Sequence, residues 1–224
     1  MKADLEHFPG EFEAGLKDCQ RFAFMACGKE FQVGAVAGLA QLAQRADTLK
    51  RSAQDREDED NANALLALQT MALALRSELE MFIALKEERA GEAWDHLVSA
   101  QNRARAALRA HSIADPFEPY SERLHAMEEI LFPPQLFLSP GIVVGHSECS
   151  LCREEYGECG HIAGRAYMGE FCTRVIHEAE RVDEISVVEQ PADKRRRVFA
   201  VANSDGVKRD PLTWREVETG NHGS

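Results

Sequence analysis

Residues 147–161 read SECSLCREEYGECGH, and this stretch constrains how the second half of the chain can fold. It places Cys149, Cys152, Cys159 and His161 at the spacing C-x2-C-x6-C-x-H. Three thiolates and one imidazole are the donors typical of a tetrahedral zinc site. Because a filled tetrahedron leaves no position for water, the pattern predicts a structural zinc ion rather than a catalytic one.

The spacing also suits the geometry of one ion. Cys149 and Cys152 can lie on one tight turn, with both sulfurs directed to the same point. Nearby glycines at 157 and 160 allow the chain to bend around Cys159, since glycine accepts positive φ at little cost. In an extended segment Cys159 and His161, two residues apart, would point to the same side.

Other residues could complete or replace this ligand set. Cys172 is an alternate fourth ligand, which would make a four-cysteine site, or it is a buried thiol near the metal. His146 and His177 are weaker candidates. Disulfides are the competing explanation for the cysteines. The N-terminal segment lacks the apolar stretch of a signal peptide, so we expect a cytoplasmic chain in which such a cluster binds metal.

The composition of the chain changes near Pro140. Before it, strong helix formers such as Ala, Leu, Glu, Gln and Arg dominate, and after it Val, Ile, Gly and the cysteines become prominent. We therefore predict an α+β chain, with a helical bundle over residues 1–140 and a small zinc-binding mixed unit over residues 141–224. A unit of that size with few large apolar residues would be stabilised by a metal.

Apolar residues spaced three and four apart predict five helices in the first unit, over 11–28, 33–55, 61–88, 92–111 and 120–131. Cys19 and Cys27 lie on an apolar stretch of the first helix, so we expect them to be buried core thiols. Alternating or continuous apolar runs in the second unit predict strands at 142–144, 174–179, 184–188 and 197–201. A turn is expected at Asp205-Gly206 and a last helical turn at 212–217.

The charge pattern limits the classes of partner. The net charge of −12 argues against broad, non-specific nucleic-acid binding. The concentrated basic run consists of Lys194, Arg195, Arg196 and Arg197. These side chains could neutralise phosphates, or they could belong to a solvated edge strand. No apolar run approaches the ~20 residues needed to span a bilayer, so we expect no membrane segment.

The cysteine region resembles a cysteine/histidine module of some tailed-phage head-maturation and portal-associated proteins. The residues that carry the likeness are Cys149, Cys152, Tyr156, Cys159, His161, Gly164, Tyr167, Gly169 and Cys172, followed by the run DEISVVEQPAD at 183–193. The resemblance covers about residues 149–193, and Arg153 stands where the module often has glycine. It implies a metal-binding module of phage or prophage type and carries over no protease residues.

Three classes of function remain open. The first is a non-enzymatic interaction or assembly protein with a protein partner or a second copy of itself. The second is nucleic-acid binding through the basic run. The third is an enzyme: Arg105 and His111 resemble the R-x(4–6)-H pair of helical ribonucleases of the HEPN class, and an open zinc site could use Glu148, Glu158 or Glu170 as a base.

Overall fold

The computed structural model describes residues 2–202, 204 and 206–217, with side chains from residue 7 onward. Five α-helices are present in this part: α1 (Lys2–Gln20), α2 (Lys29–Gln54), α3 (Glu59–Lys86), α4 (Ala90–Ala110) and α5 (Glu118–Leu131), with a 3₁₀ helix at Ser112–Phe117. The strands that follow are β1 (Phe137–Cys149), β2 (Ala166–Tyr167), β3 (Glu170–Phe171), β4 (Arg174–Val188), β5 (Val201–Ala202) and β6 (Lys208–Arg209). The predicted α+β class is confirmed.

Helix α3 lies at the centre of the bundle. It packs against both α2 and α4, and its apolar residues are buried on nearly every side, including Leu65, Leu75, Leu79 and Met81. A helix surrounded in this way needs apolar residues around its whole circumference, which is why no single stripe dominates it. Its first turn is capped by Asp58, whose carboxylate accepts the N–H of Asn61 at 3.3 Å.

The predicted first helix, 11–28, has the wrong bounds. Helix α1 begins at Lys2 and ends at Gln20, and residues 21–28 form turns. The fully buried side chain of Gln32 donates to the carbonyls of Phe22 at 3.1 Å and Phe24 at 3.0 Å, so a distant amide binds these carbonyls. Cys27 is buried as expected, whereas Cys19 is half-buried and packs against the core.

Strands β1 and β4 pair antiparallel along their whole length and form a long two-stranded β-ribbon, from Phe137 opposite Val188 to Cys149 opposite Arg174. The strand predicted at 142–144 is therefore only the middle of β1. The strands predicted at 174–179 and 184–188 are one continuous strand. The β-ribbon exposes several large apolar side chains, namely Ile142, Ile176, Val182, Ile185 and Val187.

Both ends of the β-ribbon are held on the bundle. At one end the ring of Phe137 stacks on Trp94 of α4, with centroids 6.1 Å apart. At the other end the chain enters the loop 150–173, in which the N–H of Gly169 donates to Asn63 Oδ1 of α3 at 2.8 Å. The division at residue 140 stays a prediction, and hydrogen bonds such as Trp94 Nε1 to the Lys194 carbonyl, at 2.9 Å, cross it.

The strand predicted at 197–201 is wrong. The N–H of Leu138 donates to the Arg196 carbonyl at 2.9 Å, but the segment forms only an isolated bridge with β1, and β5 begins at Val201. Pro140 lies two residues after Leu138 and so faces the same edge of β1. Because proline has no N–H, the ladder cannot extend along this edge.

The last predicted elements differ as well. Asp205 of the predicted turn lies outside the described residues, while Gly206 has a positive φ of 80°. The predicted helical turn at 212–217 is wrong, because this segment forms a hydrogen-bonded turn and then a bridge between Arg209 and Glu216. Among the described residues, no helix combines the length and the apolar character required to cross a membrane.

Candidate metal centre

The structure brings the four predicted ligands together. Cys149 ends β1, Cys152 lies in the turn that follows, and Cys159 and His161 come from the loop 150–173. One ligand atom from each of the four lies within 4.8 Å of the others. The group could therefore hold a metal ion.

A tight turn positions the first two cysteines. The N–H of Arg153 donates to the Cys149 carbonyl at 3.0 Å, and the N–H of Cys149 donates to the Glu154 carbonyl at 2.9 Å. Arg153 adopts the left-handed conformation, with φ of 66°, which glycine accepts more readily than other residues.

The surroundings of Cys149 favour the thiolate form of its side chain. The backbone N–H groups of Cys152 and Leu151 point to its sulfur and lower the pKa of Cys149 to about 6, because hydrogen bonds from N–H donors favour the charged form. Cys149 is also fully buried. A buried thiolate near neutral pH is the form in which cysteine binds a metal ion.

Cys172 lies next to this thiolate, with the two sulfurs 3.7 Å apart. Burial and the neighbouring Cys149 together raise the pKa of Cys172 to about 11, so the free side chain keeps its proton at neutral pH. Two Zn–S bonds of ~2.3 Å at the tetrahedral angle also place their sulfurs about 3.8 Å apart. The geometry thus suits Cys172 both as a hydrogen-bond donor to Cys149 and as a ligand.

His161 gives a separate indication that this group could hold a metal ion. Its Nδ1 is buried and has no hydrogen-bond partner among the described residues. The ring is held edge-on against Tyr167, with centroids 4.7 Å apart. A buried polar nitrogen without a partner is costly. A metal ion coordinated through this Nδ1 would remove that cost, so the residues present fit a bound metal.

The candidate bases of an open zinc site have different surroundings. Glu148 Oε2 contacts His177 Nε2 at 3.0 Å, on the β-ribbon rather than within the cysteine group. Glu158 and Glu170 are exposed.

Much of the predicted basic run is engaged within the chain. Lys194 Nζ pairs with Glu128 at 2.5 Å, and Arg195 Nη2 donates to Ser99 Oγ at 3.0 Å. Arg197 is nearly buried and pairs with a carboxylate of the C-terminal turn, Asp210, at 2.8 Å. Arg196 is exposed.

The two residues of the ribonuclease-like pattern have different partners. Arg105 Nη2 contacts His125 Nε2 at 2.9 Å. His111 caps the 3₁₀ helix, because its Nδ1 accepts the N–H of Ile113 at 3.0 Å, and its Nε2 contacts Asp60 at 3.2 Å. Both ring nitrogens of His111 are thus occupied by structural contacts.

A second group of potential ligands was not predicted as a site. His146, Glu148 and His177 offer ligand atoms that all lie within 4.8 Å of one another. The two-residue spacing of His146 and Glu148 on a strand could have indicated that they share a face. His177 lies on the partner strand, so its position depends on a strand register that the sequence does not reveal.

No protein-family model, no curated protein and no solved structure matches this chain.

Proposed function

We propose that this chain is a zinc-binding, non-enzymatic interaction protein. In this proposal Cys149, Cys152, Cys159 and His161 hold one structural zinc ion, which organises the loop 150–173. The observation that supports it best is the convergence of these four ligand atoms within 4.8 Å. Three thiolates and one imidazole favour zinc over the hard cations, which prefer oxygen ligands.

We assign Cys172 as a hydrogen-bond donor to the Cys149 thiolate rather than as a ligand. Its sulfur lies 3.7 Å from that of Cys149, but it is not one of the four residues whose ligand atoms all lie within 4.8 Å of one another. The unpartnered Nδ1 of His161 supports the histidine as the fourth ligand. The set is then closed, with no position for a reacting water, which supports a structural role.

The zinc ion would fix the conformation of the loop 150–173 and thereby its contacts with the helical bundle. This loop contains little regular structure apart from β2 and β3, two residues each. It contacts the helices through its main chain: Gln54 Nε2 donates to the Met168 carbonyl at 2.8 Å, and Arg109 Nε donates to the Gly164 carbonyl at 3.2 Å. Such contacts require a loop of defined shape, and metal ligation supplies that constraint.

The exposed β-ribbon supports the interaction role. An isolated two-stranded ribbon is marginally stable in water, and this one leaves apolar side chains of both strands exposed. Cross-strand neighbours Ile142 and Val182 are both exposed. Apolar surface of this kind commonly marks a protein contact, so we propose a protein partner or a second copy of the chain.

Nucleic-acid binding by the run 194–197 has less support, because Lys194 and Arg197 already pair with Glu128 and Asp210. A phage- or defence-related role is supported only by the resemblance over residues 149–193. An enzymatic role at the cysteine group has less support, because the four ligands proposed there leave no open position on the ion.

Metal content and thiol counting test the zinc proposal. The purified protein should contain one zinc per chain, and chelation should free three protected thiols if His161 is a ligand, or four if Cys172 is. Cys152→Ser should lose the zinc, whereas Cys19→Ser, a half-buried cysteine in α1, should keep it. One equivalent of zinc retained by Cys152→Ser would contradict the ligand assignment.

A further inference from the structure

We propose that His146, His177 and Glu148 form a second metal site on the β-ribbon, which takes a divalent first-row transition ion such as Zn²⁺ or Co²⁺. The inference goes beyond the structural zinc of the proposed function. It concerns a different set of donors, which are nitrogen and oxygen atoms rather than sulfur, and these donors are more exposed to solvent than Cys149.

The distances between the donors match those of a coordination sphere. His177 Nε2 lies 3.0 Å from Glu148 Oε2, and His146 Nε2 lies 3.6 Å from Glu148 Oε1. With metal–ligand bonds of ~2.1 Å, adjacent ligand atoms are about 3.0 Å apart at octahedral angles and about 3.4 Å apart at tetrahedral angles. Two of the three donor separations are therefore close to coordination distances, and the histidine nitrogens lie within 4.8 Å of each other.

A bulge in the β-ribbon brings the three side chains to one face. His146 lies opposite Glu178, and the next pair is Ser147 opposite Ile176, so His177 is an extra residue in β4. In a regular ladder His177 would lie opposite Ser147 and would point to the other face, away from His146. Bulges of this kind re-aim side chains and are frequent beside functional sites.

Glu155 orients one of the histidines. Its Oε2 lies 2.5 Å from His146 Nδ1, which leaves Nε2, 3.6 Å from Glu148 Oε1, as the nitrogen available to a metal ion. The same carboxylate accepts the N–H of Ser147 through Oε1 at 3.3 Å, which holds it in place. A carboxylate behind a histidine is the usual outer partner of a metal-bound imidazole. The two rings, of His146 and His177, stack with centroids 5.4 Å apart.

The site would be open. The side chains of His146 and His177 are 46% and 44% exposed, and that of Glu148 is 28% exposed. Three protein donors leave at least one position of a tetrahedral ion free for water, for a small anion or for a donor from a partner. Two imidazoles and one carboxylate suit zinc, cobalt, nickel and iron ions better than magnesium or calcium.

Cobalt titration of the zinc-loaded chain, residues 1–224, tests this site. We expect one further equivalent of Co²⁺ to bind, with the weak visible bands of a nitrogen- and oxygen-ligated ion and without a thiolate-to-cobalt charge-transfer band. The spectrum separates this site from exchange at the cysteines. If the cysteine group held no zinc, cobalt there would show the thiolate band, so failure of one proposal remains distinguishable from failure of the other.

Variants make the assignment specific. The double variant His146→Gln/His177→Gln should weaken cobalt binding by at least about 100-fold, since two of three donors are removed. Glu155→Gln should keep the stoichiometry but weaken binding roughly 10–100-fold, as expected for the partner of a ligating histidine. His96→Gln is the matched control, because His96 of α4 also pairs with a glutamate, Glu80, at 3.5 Å, away from the β-ribbon.

Three outcomes would overturn the proposal: no additional equivalent at millimolar Co²⁺, additional binding only with a thiolate band, or undiminished binding in the double variant. Zinc content checks that the double variant retains its fold. Where that content is lost, the single variant His177→Gln, at a surface position, decides by the same titration. Cobalt binding unchanged in that variant would show that His146, Glu148 and His177 form a hydrogen-bonded cluster and not a metal site.

Discussion

The guanidinium of Arg123 donates to Glu78 Oε2 at 2.7 Å, and it reaches this fully buried carboxylate from the surface of the bundle. Breaking a buried pair leaves an uncompensated charge, which typically costs ~3–5 kcal/mol. Because Arg123 is partly exposed, we expect Arg123→Met to lower the free energy of unfolding by roughly 3 kcal/mol at pH 7. Urea denaturation measures this loss.

The loss of stability caused by Arg123→Met should be smaller at acidic pH. Burial raises the pKa of Glu78 above its ordinary 4.5, against the opposing effect of Arg123. A carboxyl with a raised pKa contributes stability that is complete below its unfolded pKa and is lost as the pH rises through its folded pKa. Removing Arg123 raises that pKa further, so the difference from wild type should fall as the pH approaches 4.5. An equal loss at pH 4.5 and 7 would contradict this, and in a Glu78→Gln background, where no carboxyl titrates at this position, Arg123→Met should cost the same at both pH values.

Two neighbouring arginines should differ in their effect on stability. Arg197 is nearly buried against Asp210, so Arg197→Gln should destabilise the fold by about 2–3 kcal/mol, less than for a fully buried pair. Arg196 is exposed, and Arg196→Gln should change stability by less than about 0.5 kcal/mol. Chemical denaturation of both variants tests this. Equal effects would mean that Arg197 has no structural role beyond that of a surface cation.

Gly169 should be sensitive to substitution because of its backbone. Its φ is 75°, and an added Cβ would lie 2.9 Å from Lys50 Cγ and 3.2 Å from the Ala62 carbonyl oxygen. We expect Gly169→Ala to lower stability by about 2–3 kcal/mol, from backbone strain plus the contact with α3. Gly160→Ala is the control, because a Cβ there meets nothing within 4 Å. Thermal unfolding tests this expectation, and equal melting temperatures of the two variants would contradict it.

Removal of the metal should act locally. We expect chelation to increase amide hydrogen exchange in the loop 150–173 and at the adjoining end of the β-ribbon, while α3 stays protected in the bundle core. The N–H of Cys172, which donates to the Arg165 carbonyl at 2.9 Å, is a suitable reporter. Mass spectrometry of exchange with and without chelator measures this. Uniform loss of protection, α3 included, would contradict a locally acting ion.

The exposed apolar face of the β-ribbon should mediate self-association or partner binding. Val182→Lys places a charge opposite Ile142 and should weaken assembly without lowering the melting temperature, since both side chains are exposed. Sedimentation of wild type and variant over a range of concentrations tests the second-copy form of the proposal. A wild-type protein that remains monomeric throughout that range would contradict this form.

The helices and the cysteine group were predictable because their signals are local. Apolar positions that recur about every 3.6 residues indicate a helix from neighbouring residues alone. Helices α2 to α5 accordingly begin and end within a few residues of their predicted bounds. Cys149, Cys152, Cys159 and His161 follow one another closely, so a single turn and loop can bring them together. The sequence by itself therefore determined the α+β class and the set of candidate metal ligands.

Other features depended on contacts between distant residues. Only the tertiary structure shows that Gln32 binds the carbonyls of Phe22 and Phe24 beyond the end of α1, and that β4 is one continuous strand. The register of the β-ribbon, with its bulge at His177, likewise decided which side chains meet Glu148. Strand register joins residues as far apart in the chain as Phe137 and Val188, and local periodicity carries no information about such partners.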